Sequence, residues 1–157
     1  MAKLSIVAAV IAISMGLGFA QSSMAAAPYC DDLKQVAGHA LHAGRFSSIA
    51  GASRDGSFSD TTLPLAGWSG CAVYGATTYT CDSLMLPDAE AAEKAQARII
   101  DEILSCFAGT WHHVLDRSSP SYAVLHPAKG AASITLSVDE ADSKQFVVRL
   151  TLFLRRS

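Results

Sequence analysis

The sequence predicts a two-layer α+β domain: an antiparallel sheet of five or six strands with two helices packed on one of its faces. Three observations carry this expectation. Two stretches, from Asp31 to about Ser48 and from Asp88 to Phe107, repeat apolar residues at helical spacing. Up to six short stretches have strand character, and the last two alternate apolar and polar residues. Four cysteines, Cys30, Cys71, Cys81 and Cys106, are spread along the chain, as in a small domain stapled by disulfides.

The N-terminus reads as an export signal. Lys3 is the only charge before a run from Leu4 to Ala20 that is apolar apart from Ser5 and Ser14. Ser23-Met24-Ala25 has the small-x-small form of a signal peptidase site, with cleavage after Ala25 preferred and after Ala20 the alternative. The run is shorter than the ~20 residues a membrane-spanning helix needs, so no stable membrane insertion is expected after cleavage. Tyr29 before Cys30 is too large for a lipid-attachment box. Residues 1–25 are thus expected to be a signal peptide of bacterial type and residues 26–157 a single disulfide-stabilised domain, periplasmic or secreted. Removing Lys3 leaves 11 basic residues against 14 acidic ones, with no basic run, which excludes nucleic acid as a partner class.

In the first helical stretch Leu33, Val36, Ala37, Ala40, Leu41 and Gly44 share one side, while Asp31 and Asp32 occupy the first turn, where the helix dipole favours carboxylates. His39 and His42 project from the other face and read as solvated, with a shared metal ion as the alternative. Arg54-Asp55-Gly56-Ser57 marks a turn, and a short strand is expected between Phe58 and Leu65. Gly67-Trp68-Ser69-Gly70 resembles part of a serine nucleophile elbow, but the frame is wrong and a strand follows where that motif needs a helix.

Cys71 to Tyr74 and Thr77 to Cys81 read as a hairpin. Gly75-Ala76 suits a two-residue turn, which would point Cys71 and Cys81 to opposite faces; a three-residue loop would set them opposite each other. In the second helix Pro87 or Asp88 opens the first turn, Ala92, Ala95, Ile99, Ile100, Ile103, Cys106 and Phe107 form the buried stripe, and Gly109 stops it. Antiparallel packing of the two helices would make Cys30 and Cys106 neighbours. The preferred pairing is therefore Cys30–Cys106 with Cys71–Cys81, although the turn chemistry opposes the second bond. Metal binding is disfavoured for the cysteines because none are closely paired.

Strands are expected from Ser121 to His126, Ala131 to Val138 and Phe146 to Leu154. Ile134, Leu136 and Val138 face one way in the second of these, and Phe146, Val148, Leu150, Leu152 and Leu154 in the third. Trp111-His112-His113-Val114-Leu115-Asp116 is the only segment dense in chemically capable groups, and it reads first as a polar connection with Trp111 over the core edge. No nucleophile, base and orienting group converge, and no phosphate-binding loop is present, so no cofactor is expected. The functional expectation is a non-catalytic binding or inhibitor-type domain of the bacterial envelope, its partner an envelope or extracellular protein. The candidate binding residues are Trp68, Trp111, His112, His113 and Asp116. The alternative is a metal-dependent or histidine-assisted hydrolase built on Trp111 to Asp116.

Overall fold

The computed structural model describes residues 26–41, 45–141 and 144–154. The signal peptide read at 1–25, the candidate ligand His42, Gly44, and positions 142–143 of the turn expected at Asp139 to Lys144 lie outside these residues.

Helix α1 (Cys30–Ala40) is followed by a 3-10 turn (Arg45–Ile49) and strands β1 (Ala50–Ser53), β2 (Phe58–Thr61), β3 (Ser69–Tyr74) and β4 (Thr78–Asp82). Helix α2 (Ala89–Cys106) then leads to β5 (Trp111–His113), a 3-10 turn (Leu115–Arg117), β6 (Tyr122–Pro127), β7 (Ala132–Glu140) and β8 (Phe146–Leu154). All strand pairs are antiparallel, in the order β1-β2-β3-β4-β8-β7-β6-β5. The chain is mixed α+β but mostly sheet. It repeats one unit, a helix followed by a four-strand meander, and the two meanders join through their last strands, β4 and β8.

The expectation of five or six strands is therefore wrong: among the described residues the sheet has eight. The two that carry no clear sequence signal are the edge strands. Ala50-Gly51-Ala52-Ser53 has no apolar alternation and pairs with β2 through an irregular register. Trp111–His113 is only three residues long and is held by pairing with β6, so it cannot display a period of two. Strand identity at both edges comes from the neighbour's open backbone groups.

Helix α1 also ends earlier than its periodicity predicts, at Ala40 rather than near Ser48. Arg45 has φ +50°, a left-handed conformation that cannot continue a right-handed helix. Phe46 and Ile49 are buried from the separate 3-10 turn that follows. Helix α2 starts where its capping chemistry dictates: the Asp88 carboxylate accepts a hydrogen bond from the Ala91 backbone N–H at 2.7 Å.

The hairpin overturns the two-residue turn. Tyr74 pairs with Thr78 and Val73 with Tyr79, leaving Gly75, Ala76 and Thr77 as a three-residue loop. Its backbone groups are used elsewhere: the Gly75 N–H donates to the Ser57 carbonyl at 3.0 Å, and the Ala76 carbonyl accepts from the Phe46 N–H at 3.2 Å. Gly75 sits at φ +56°, which its missing Cβ allows. This register sets Cys71 opposite Cys81, and they form a disulfide with Cα atoms 4.0 Å apart.

Both helices pack on one face of the sheet. Tyr79 and Cys81 of β4, Leu150 and Leu152 of β8, Ile134 and Leu136 of β7, and Leu125 of β6 point into this core and are fully buried. Ile99, Ile103 and Leu33 meet them from the helices. Gln96 is the polar exception on the buried stripe of α2; its side-chain amide donates to the Leu136 carbonyl at 2.8 Å. A second disulfide, Cys30–Cys106, ties the start of α1 to the end of α2 with Cα atoms 5.5 Å apart. Next to it the Tyr29 hydroxyl donates to Glu102 Oε2 at 2.7 Å. Burial, and then the Glu102 carboxylate, hold that hydroxyl neutral well above the ordinary tyrosine range.

Candidate functional site: the Trp111 groove

The Cys30–Cys106 bond places the end of α2 against α1, and the chain then turns sharply through Ala108 (φ +47°) and Gly109 (φ +77°) into β5. This turn brings Phe107 and Trp111 onto one another, with ring centroids 4.8 Å apart in a stacked arrangement. The stacked pair lies in a groove of about 530 Å³, within the ~300–1,000 Å³ typical of ligand sites. One wall is α1, where Lys34, Ala37, Gly38 and Leu41 recur at i, i+3, i+4 and i+7 and so share a face. The other wall is the connection from β6 to β7, Pro127 to Ala132.

The groove is apolar inside and basic at its margins. Leu41, on the wall, is 67% exposed, an unusual state for a leucine whose stripe-mates Ala37 and Ala40 are buried. A Cβ added at Gly38 meets no atom within 4 Å. Glycine inside a helix costs roughly 0.5–1 kcal/mol relative to alanine, and packing does not require it here. Gly38 lines the same groove as the aromatic pair and faces open space there. Among the described residues no carboxylate lines the groove, whereas Lys34 and Lys129 both do.

Of the residues singled out in the sequence, Trp111 alone belongs to this groove. Trp68 is packed edge-on against Tyr29 at 5.6 Å and borders a separate, smaller hollow of about 220 Å³ with Arg98, Leu84 and Leu86. His112 and His113 are consecutive residues of β5 and point to opposite faces of the sheet. The exposed His112 pairs with His126, their ring centroids 6.3 Å apart. His113 Nε2 lies 2.9 Å from the Ser118 hydroxyl, which itself donates to the Val114 carbonyl. Asp116 stands exposed on the 3-10 turn. The structure thus does not bring His112, His113 and Asp116 to a common point. Among the described residues no group of three histidine, cysteine or carboxylate side chains is arranged to hold a metal ion.

Two further serine–histidine contacts have the same length: the exposed Ser48 hydroxyl lies 2.9 Å from His39 Nδ1 and also donates to the Arg45 carbonyl, and on the outer face of the sheet Ser133 Oγ lies 2.9 Å from His126 Nδ1. Ser133 is fully buried, so its hydroxyl cannot meet a substrate. Ser69, in the segment that resembles an elbow, opens β3, and its hydroxyl donates to the backbone carbonyl of Asp82 at 3.3 Å. The remaining outer face is mixed: Thr135, Thr151 and Thr80 lie in one row across β7, β8 and β4, and the exposed Phe58 and Tyr74, ring centroids 4.8 Å apart, share that face with Phe153. Beside that row Arg149 makes a two-pronged contact with Asp82, at 2.7 and 3.2 Å, and a third with Asp139 at 2.8 Å. The hydrogen bond to Asp82 raises the guanidinium pKa further, so this cluster is a fixed ion pair.

Lys34, Gly38, Leu41, Phe107 and Lys129 are missing from the sequence-derived site. Leu41 and Phe107 count there only as members of helical stripes, and Lys129-Gly130 only as a turn. The available signal was Gly38, a glycine in the middle of an otherwise regular helix. Comparison of the chain with protein-family models, with curated proteins and with solved structures finds no match.

Proposed function

We propose that this chain is an exported domain that binds rather than catalyses, and that the Trp111 groove is its principal binding site. Two disulfides fit an oxidising compartment, periplasmic or extracellular. Export itself rests on the Lys3 to Ala25 signal pattern. No helix of the described residues is long and apolar enough to cross a membrane. The observation that carries the binding reading is the apolar groove between α1 and the β6–β7 connection, lined by the stacked pair of half-buried Phe107 and buried Trp111. Aromatic groups in a largely pre-formed apolar groove supply contact area at low entropic cost.

The test uses the neutral apolar dye Nile red. Wild-type protein and Gly38→Ala are expected to enhance its fluorescence, and Gly38→Trp, which fills the groove, to abolish most of that enhancement. Gly38→Ala should be slightly more stable than wild type, by about 0.5–1 kcal/mol. Equal dye binding by Gly38→Trp and wild type, with both proteins folded, would overturn the assignment of the groove.

A further inference from the structure

We infer that the ligand of the groove is a small amphipathic anion, an apolar chain ending in a carboxylate, with Lys34 and Lys129 receiving the head group. This rests on the groove being a binding site and goes further in naming the chemistry it selects. The interior contributed by Ala37, Leu41, Phe107, Trp111, Pro127 and Ala132 offers apolar atoms and almost no hydrogen-bonding groups. A ligand buried there must be apolar over most of its length, because an unpaired polar group would lose its water without compensation.

The charge at the margin is the reverse of the charge of the protein. The chain carries a net charge of −2, yet among the described residues the groove lining contains two lysines and no aspartate or glutamate. Among the described residues Lys34 has one weak ion-pair partner, Asp31, at 3.6 Å on a side chain that is itself 91% exposed. Lys129 takes part in no ion pair among the described residues. Such an arrangement has little internal use for the two ammonium groups. Lysine stems lie along apolar surface while the charged ends remain in water, the geometry needed to cap a ligand whose chain is buried and whose head is wet. Lys34 reaches the groove from α1 and Lys129 from the β6–β7 connection, so a head group is approached from both walls. A cationic amphiphile is repelled at the same margin, and a neutral one gains nothing there.

The experiment uses a Trp68→Phe background, which leaves Trp111 as the reporter. Trp111 fluorescence is titrated with laurate, dodecan-1-ol and dodecyltrimethylammonium, each below its self-association concentration. Laurate is expected to bind tightest, about tenfold tighter than the alcohol, with the cation weakest. Lys34→Gln combined with Lys129→Gln should weaken laurate about twofold to thirtyfold, the scale of two exposed ion pairs, and leave dodecan-1-ol unchanged. Raising the salt should weaken laurate alone. The single Lys129→Gln variant gives an intermediate loss and guards against a folding defect in the double variant. If laurate and dodecan-1-ol bind alike, or the double variant keeps the laurate preference, the head-group assignment is wrong while the groove survives. If no amphiphile alters Trp111 and Gly38→Trp still binds Nile red, both readings fall together.

Discussion

The first meander, β1 to β4, is made of strands of four to six residues, whereas β7 and β8 of the second run for nine residues each. The long strands present a full alternation, with Ile134 and Leu136 opposite Leu152 and Leu150, all without exposed surface. The short strands bury less of their own: β1 keeps no fully buried residue and β2 none either. The first unit compensates covalently, through Cys71–Cys81 across its central hairpin. Both halves thus share one apolar core, to which the first contributes Phe46, Val73 and Tyr79, but only the first carries a cross-link within its own meander. Between the halves stands the second disulfide, Cys30–Cys106, which fixes α1 on α2 and with it one wall of the Trp111 groove.

The largest effect is expected from breaking the link between the units. Replacing Cys30 and Cys106 together by serine reopens a loop with a sequence separation of 76 residues, worth ~4–5 kcal/mol in the chain-entropy account. Denaturant unfolding should show that loss, and Nile red enhancement should fall with it, because the α1 wall is no longer tied to Phe107. A variant with full dye binding would separate the disulfide from the groove.

The smaller effect comes from Cys71 and Cys81, whose separation of 10 residues corresponds to about 3 kcal/mol on the same scale. The comparison of the two halves makes this a local prediction. Native-state hydrogen exchange of Cys71→Ser with Cys81→Ser should lose protection in β2 to β4, while β7 retains protection close to its original level. Uniform loss across all eight strands would show that the two units are a single cooperative element and that the contrast between them has no energetic meaning.

The contrast also explains what the sequence disclosed. The second unit was legible because β7 and β8 are long enough for a period of two to appear. Helix α2 was legible from its apolar stripe and from a start expected at Pro87 or Asp88, of which Asp88 is the cap. In the first unit the same reasoning failed at particular residues. Gly75-Ala76 has the chemistry of a two-residue turn, but Ser57 and Phe46, distant in sequence, take up its backbone groups and favour three residues. Ala50 to Ser53 becomes a strand only because β2 offers a partner. At the site, Trp111 was identifiable as an aromatic anchor. The groove was not, because its walls come from α1, the end of α2 and the β6–β7 connection, and only the fold brings Gly38, Lys34 and Lys129 to Trp111. His112 and His113 attracted attention through adjacency in sequence, which in a strand is the arrangement that separates side chains.

The most direct measurement of the central claim follows the two indole N–H resonances of the wild-type protein during titration with laurate and with dodecan-1-ol. Trp111, stacked on Phe107 in the groove, should shift progressively with both ligands, and more steeply with laurate. Trp68, packed on Tyr29 beside a different hollow, should stay in place. A shift confined to Trp68, or none at Trp111 with either ligand, would contradict the assignment of the groove as the binding site.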